Sequence, residues 1–153
     1  PRGTAGEVWA AREYLDDSFI CYYGDIITNI DLGRLAAFHK RHGAIATVAL
    51  VKNIPLEVGV VHLNTDSTVT EFKEKPPLDM PVNAGIYALD KDILSFLNDR
   101  DGLDFGYDVF PAILKAGRRI CGCVFNDAFW YDLGTLRRYQ ELNELFSKNA
   151  ITL

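Results

Sequence analysis

The sequence predicts an α/β fold: a mixed, mainly parallel sheet flanked by helices. Three observations carry this expectation. Short apolar runs alternate with segments of helical spacing along most of the chain, the pattern of parallel strands joined by helical crossovers. The run at 45–51 (Ile-Ala-Thr-Val-Ala-Leu-Val) is apolar on both faces, as an interior strand requires. Residues 59–72 break the alternation as two strands around a polar turn, adding an antiparallel portion.

Taken in order, Gly3-Thr4-Ala5-Gly6 leads into residues 7–15, where Val8, Ala11 and Leu15 have helical spacing. Residues 18–23 form an apolar and aromatic strand that meets a turn at Gly24-Asp25. Asp31 caps a helix whose apolar side is Leu32, Leu35, Ala36 and Phe38, and Gly43 stops it. The cluster His39-Lys40-Arg41-His42 reads as the solvated end of that helix. The hairpin turns at Asn64-Thr65-Asp66-Ser67, and its second strand ends before Pro76-Pro77, because proline cannot continue the ladder. Residues 82–89 read as a strand, after which Asp90 caps a helix through Leu97. An acidic loop, 99–104, precedes a helix over 108–116, with Asp108 as its cap and Pro111 in its first turn. Short strands at 119–125 and 130–133 precede a closing amphipathic helix over 135–148, with Tyr139, Leu142, Leu145 and Phe146 on its apolar side. No repeat, low-complexity tract or linker interrupts the sequence, so a single domain is expected over 1–153.

Charge and composition exclude several classes. A net charge of -5, from 16 Lys and Arg against 21 Asp and Glu, supplies no basic stripe for nucleic acid. No apolar run approaches the roughly 20 residues of a membrane helix, and no signal-peptide pattern is present. The cysteines, Cys21, Cys121 and Cys123, are odd in number and lack framework spacing, which points to a reduced, cytoplasmic protein. Cys121 and Cys123 share a strand face, but His39, His42 and His62 complete no recognisable zinc set; packing is the expected role of all three thiols.

The candidate chemistry lies elsewhere. Asp25 directly follows an apolar strand, at the edge where open α/β sheets form their ligand crevice. Its carboxylate suits Mg²⁺, which takes one or two carboxylates and completes its shell with water and phosphate oxygens. Asp132, in Trp130-Tyr131-Asp132-Leu133-Gly134-Thr135, repeats the arrangement far along the chain. Either aspartate can equally be a turn or cap residue, as can Thr135. Lys75, held by the following Pro76, is placed to neutralise a phosphate, and Glu74 to accept sugar hydroxyls; a solvated charge run is the plainer alternative. Gly59, and Gly85 within Asn83-Ala84-Gly85, mark close approach of a ligand or a bulge. Gly3, Thr4, Ala5 and Gly6 could face a base or a phosphate, or simply form a loop.

In this order and spacing, the motifs resemble the sugar-phosphate nucleotidylyltransferase family, which includes mannose-1-phosphate guanylyltransferases and glucose-1-phosphate thymidylyltransferases. Gly3-Thr4-Ala5-Gly6, Gly24-Asp25-Ile26, Phe38-His39-Lys40, Gly59-Val60-Val61, Glu74-Lys75-Pro76, Asn83-Ala84-Gly85-Ile86-Tyr87, Asp108-Val109-Phe110-Pro111 and Trp130-Tyr131-Asp132-Leu133-Gly134-Thr135 carry the resemblance, from Pro1 to Phe146. It implies a Rossmann-like nucleotide-binding sheet and a reaction in which a sugar-1-phosphate attacks a nucleoside triphosphate, giving a nucleotide sugar and pyrophosphate. It also implies that Gly3–Gly6 contact the base, that Asp25 and Asp132 hold Mg²⁺, and that Lys75 contacts the sugar phosphate. Gly59, Glu74, Asn83 and Gly85 would line the sugar pocket. Residues 3–6 and 104–111 look most like those of guanylyltransferase relatives, a lean towards GTP and mannose-1-phosphate, with thymidylyl and uridylyl members close.

The family's N-terminal strand and phosphate-gripping loop have no counterpart in the sequence, which reads as N-terminally incomplete. The 153-residue chain is therefore expected to be catalytically weak or inactive, and to self-associate or pair with a separate N-terminal segment. Two alternatives remain at this stage: a non-catalytic nucleotide-sugar-binding or regulatory module of the same fold, and a glycosyltransferase of related architecture.

Overall fold

The computed structural model describes residues 2–148, so Pro1 and 149–153, the ends of the expected domain, lie outside it. The chain runs through α1 (Thr4–Ala10), a 3₁₀ turn (Arg12–Tyr14), β1 (Ser18–Tyr22), β2 (Ile26–Thr28), α2 (Leu32–His42), β3 (Ala46–Val51), β4 (Ile54–Pro55), β5 (Val60–Leu63), β6 (Val69–Lys73), β7 (Pro77–Leu78) and β8 (Val82–Asp90). A 3₁₀ segment (Lys91–Phe96), a π-helical turn (Phe105–Val109), α3 (Phe110–Lys115), β9 (Ile120–Phe125), β10 (Trp130–Asp132) and α4 (Leu136–Ser147) complete it.

The main sheet has the order β1-β8-β3-β9. β3 and β9 are parallel, and β8 is antiparallel to both β1 and β3. Three strands thus share one direction, as a mainly parallel sheet requires, while β8 between them runs against it. Alternation along β8 feeds two cores. Tyr87 and Leu89 join Ala46, Ile93, Phe105, Val109 and Ile113 on one face. Ile86 and Ala88 join Leu35 of α2, Ala49, Val51, Cys123 and Phe125 on the other. The sheet is therefore covered by α2 on one side and by the 105–115 helical segment on the other. The predicted hairpin forms β5–β6 as its own two-stranded sheet, and β2–β10 and β4–β7 are further two-stranded sheets.

α2 forms for local reasons: the Asp31 carboxylate accepts from the Arg34 amide at 2.9 Å, and Gly43 ends the helix in the left-handed region at φ 56°. The closing helix begins as expected, with Thr135 accepting from the Arg138 amide.

Several expectations fail where tertiary contacts outweigh sequence pattern. The helix over 7–15 stops at Ala10 and tightens into a 3₁₀ turn. Asp90 makes no cap; it lies 3.2 Å from His39 Nε2. His39 is not part of a solvated helix end. It is 3% exposed, with Nδ1 2.9 Å from the Thr47 hydroxyl, so it ties α2 to the sheet. The cap before α3 is Asp104 rather than Asp108, accepting from the Gly106 and Tyr107 amides. Asp108 instead pairs with Arg100 at 2.7 Å, which holds its carboxyl below the usual range. All three thiols are free; Cys123 is buried in the core, while Cys21 and Cys121 are half-buried.

Candidate functional site

The site is assembled by two short strands, β10, which the sequence announces, and β2, which it does not. Asp25 precedes β2 and Asp132 ends β10, and these strands pair antiparallel with Ile26 opposite Asp132. The Leu133 amide donates to the Asp25 carbonyl at 2.7 Å, extending the ladder by one step. The two aspartates therefore stand at the same end of adjoining strands. Asp132 Oδ1 accepts from the Gly134 amide at 2.6 Å, and Oδ2 lies 3.7 Å from Arg138.

The β2–β10 pair is held to the main sheet at defined points. The Trp130 indole donates to the Ala84 carbonyl at 2.9 Å, and the Tyr23 amide donates to the Gly85 carbonyl at 3.0 Å. Gly85 has φ +71°, and a Cβ there would stand 3.0 Å from the Tyr23 ring. Both the backbone and the space require glycine at this position. Asn83 is engaged internally: Oδ1 accepts from the Gly85 amide and Nδ2 donates to the Tyr87 hydroxyl, which in turn donates to Tyr23. Burial pushes both tyrosine hydroxyls upward from their ordinary pKa, so both stay protonated donors across the neutral range.

Residues 3–6 are likewise largely committed. The Ala5 and Gly6 amides both donate to the Leu103 carbonyl, at 3.0 and 3.3 Å. The Thr4 hydroxyl donates to Asp104 at 2.9 Å and accepts from the Phe105 amide. Gly3 fits against the Gly102–Leu103 backbone, which leaves no room for a Cβ. This segment braces the loop before the π-helical turn, while Thr4 also lines a cavity of about 540 Å³ that Gly24 and Asp25 line as well. The structure thus brings Thr4 and Asp25 to one cavity.

The second group lies around the β5–β6 hairpin. A Cβ at Gly59 would meet the Phe72 ring at 2.9 Å and the Glu74 carboxylate at 3.1 Å, so Gly59 admits the Glu74 side chain. Lys75 has φ 45°, a left-handed conformation that costs about 1–3 kcal/mol in a residue with a side chain. Pro76 contributes by disfavouring the right-handed helical region for the residue before it. Lys75 Nζ lies 3.3 Å from Glu57 Oε2, and this hydrogen bond, with the lysine charge, holds the Glu57 carboxyl below the usual range. Glu57 shares a cavity of about 230 Å³ with Trp130, Tyr131, Arg138 and Glu141, so the hairpin group meets the β10–α4 corner. Glu57, Arg137 and Arg138 were absent from the sequence-derived set. A lone loop glutamate and two helical arginines carry no local signal, and only the folded corner brings them to Lys75 and Asp132.

No group of three or more His, Cys, Asp and Glu among the described residues could hold a metal unaided. Two carboxylates at adjoining strand ends fit an ion that arrives with phosphate oxygens and water, not one caged by protein. No helix among the described residues is long and apolar enough to cross a membrane.

Comparison with known proteins gives the chain its relatives. The sequence is 29% identical over 93% of its length to a glucose-1-phosphate adenylyltransferase of Halalkalibacterium halodurans, covering 41% of that protein. It is 30% identical over 90% of its length to a UTP–glucose-1-phosphate uridylyltransferase of Synechocystis, covering 38% of it. The chain thus spans about two fifths of the length of these relatives. HddC from Yersinia pseudotuberculosis, also solved in complex with GMP-PN, shares the fold with a TM-score of 0.67 at 23% identity, over 95% of this chain and 63% of that one. The profile of the family described as nucleotidyl transferase matches residues 1–149, nearly the whole sequence. The chain belongs to the nucleotidyl transferase family.

Proposed function

We propose that the chain forms the sugar-, metal- and base-facing part of an enzyme that transfers a nucleotidyl group from a nucleoside triphosphate to a sugar-1-phosphate. The observation that carries this reading is the register of β2 with β10, which sets Asp25 and Asp132 side by side at one sheet edge. In the reaction, an oxygen of the sugar phosphate forms a bond to the α-phosphorus while the bond to the β-phosphate oxygen breaks and pyrophosphate leaves. A phosphate nucleophile is already ionised at neutral pH, so the site needs no strong base; positioning and charge neutralisation suffice. Asp25 and Asp132 would hold Mg²⁺, which when bound supplies Lewis-acid charge at the phosphates. Lys75 would neutralise the sugar phosphate, and Glu74, with Gly59 admitting it, would accept sugar hydroxyls. Asn83 and Gly85 support the sugar side by fixing Tyr23 and Tyr87 rather than by presenting free polar groups. Thr4 borders the base-side cavity, with Gly3, Ala5 and Gly6 as its backbone support.

The names of the relatives give no support to a preference for GTP and mannose-1-phosphate; they are adenylyl- and uridylyltransferases of glucose-1-phosphate. Glucose-1-phosphate is accordingly the first sugar phosphate to test. In calorimetric titrations the 153-residue chain should bind it. Mg²⁺-dependent binding of ATP or UTP should weaken about tenfold or more on Asp25→Asn or Asp132→Asn, as expected for loss of a charged contact. Unchanged Mg²⁺-dependent nucleotide binding in both variants would refute the metal role. Turnover by this chain alone should be slow or absent, and steady nucleotide-sugar formation would overturn that part.

A further inference from the structure

The hairpin corner sets two further charged groups, Glu57 and Arg137, beside Lys75. Glu57 Oε2 is 3.3 Å from Lys75 Nζ and 4.0 Å from Arg137 Nη2, so one carboxylate stands between two cations. The three side chains are half or more exposed (50%, 52% and 63% for Glu57, Lys75 and Arg137), so the position is open to a solute. Lys75 is aimed there by its left-handed backbone. Arg137 is steadied from behind by Glu141, at 3.2 Å, whose other oxygen accepts from the Tyr131 hydroxyl at 2.7 Å. Arg137 sits in the first turn of α4, where the helix dipole disfavours a cation and its i,i+4 pairing with Glu141 is the helix's own contribution to holding it. Glu57 is held differently. It lies between β4 and β5, and its carboxylate contacts are these two cations.

We propose that Arg137 joins Lys75 in gripping the phosphate of the incoming sugar phosphate, and that Glu57 occupies that position until the phosphate displaces it. The inference rests on the reading that Lys75 faces the sugar phosphate, and it adds Arg137 as a binding residue and Glu57 as a competing one. A phosphate dianion carries more charge than a carboxylate and offers three oxygens, enough for a forked contact from the guanidinium together with the ammonium. Glu57 would then swing out on its loop. The exchange favours ligands that carry a phosphate over the free sugar, because the free sugar leaves Glu57 in place.

Glucose-1-phosphate, glucose and inorganic phosphate, titrated at low salt into the unaltered chain and into Lys75→Gln, Arg137→Gln, Arg137→Lys and Glu57→Gln, test this. Arg137→Gln should weaken glucose-1-phosphate about tenfold, Arg137→Lys should recover part of the loss, and glucose binding should be unaffected by either. Glu57→Gln should tighten glucose-1-phosphate several-fold. If Lys75→Gln weakens binding and Arg137→Gln does not, the two-cation grip is wrong while the role of Lys75 stands. If Glu57→Gln weakens binding as Lys75→Gln does, Glu57 braces the lysine and the displacement is wrong. A chain that binds no glucose-1-phosphate sinks both this proposal and the reading beneath it. Inorganic phosphate showing the same Arg137 dependence supports the grip; its binding unchanged in Arg137→Gln counts against it.

Discussion

Cys21 lies on β1 against the core, and burial pushes its thiol from the ordinary 9.0 up to about 11. The folded chain therefore holds this proton over a pH range in which the unfolded chain releases it. The resulting stability is fully present below pH 9 and is lost as pH rises towards 11, by up to roughly 2–3 kcal/mol. Urea unfolding of the unaltered chain at pH 8 to 10.5 should show this decline, and Cys21→Ala should flatten part of it. An identical slope in the two proteins would mean that the tyrosines, whose hydroxyls are also raised, carry the whole effect. At the same scale, the left-handed backbone of Lys75 sets the direction in which its side chain leaves the chain, at a cost of about 1–3 kcal/mol.

Among the elements, the pairing of β2 with β10 matters most for the site and depends on few tethers. Trp130→Phe keeps an aromatic ring but removes the indole N–H that donates to the Ala84 carbonyl, together with part of the packed ring, and should cost about 1–3 kcal/mol. It should also weaken Mg²⁺-dependent nucleotide binding, because β10 carries Asp132; a loss of stability with nucleotide binding intact would separate β10 anchoring from the site. This element also shows where sequence reading stops. The caps at Asp31, Gly43 and Thr135 act over three or four residues, and each was legible. Strands at 18–23, 45–51, 82–89 and 119–125 were legible because burial on one or both faces writes apolar runs. Ile26-Ile27-Thr28 is too short for a period, and its partner lies far along the chain, so β2 was not legible. Asp90 and Asp108 looked like caps by spacing, but His39 and Arg100, placed by the fold, claimed their carboxylates. Asp25, Lys75 and Asp132 were named from their motifs, whereas Glu57 and Arg137 gain meaning only from proximity.

For the molecule as a whole, the open side of β1 is the most consequential surface. Among the described residues β1 pairs only with β8, yet it is apolar on both faces, with Ile20 37% and Tyr22 40% exposed. Apolar side chains on both faces belong to interior strands, and a free apolar edge invites another strand. Beside it runs the cavity lined by Val8, Leu15, Phe19 and Cys21. We therefore expect self-association along this edge. Light scattering at micromolar concentration should give a mass above 17.1 kDa for the chain alone, falling when Ile20→Lys is introduced. A monodisperse monomer of the unaltered chain would refute self-association.

The separation of Asp25 from Asp132 also has a meaning in time. The strands of the main sheet, β1, β8, β3 and β9, are all present once residue 125 has been made, but the partner of β2 is not. The bond from the Phe129 amide to Asn29 bridges 100 residues, and others of similar span surround it. On the ribosome, where folding begins from the N-terminus, Asp25 must wait for β10 to emerge before it gains its neighbour. A chain ended before β10 could build much of the sheet yet would lack Asp132 beside Asp25. The meeting of the two aspartates is thus a late event in the making of this stretch, set by how the polypeptide is threaded.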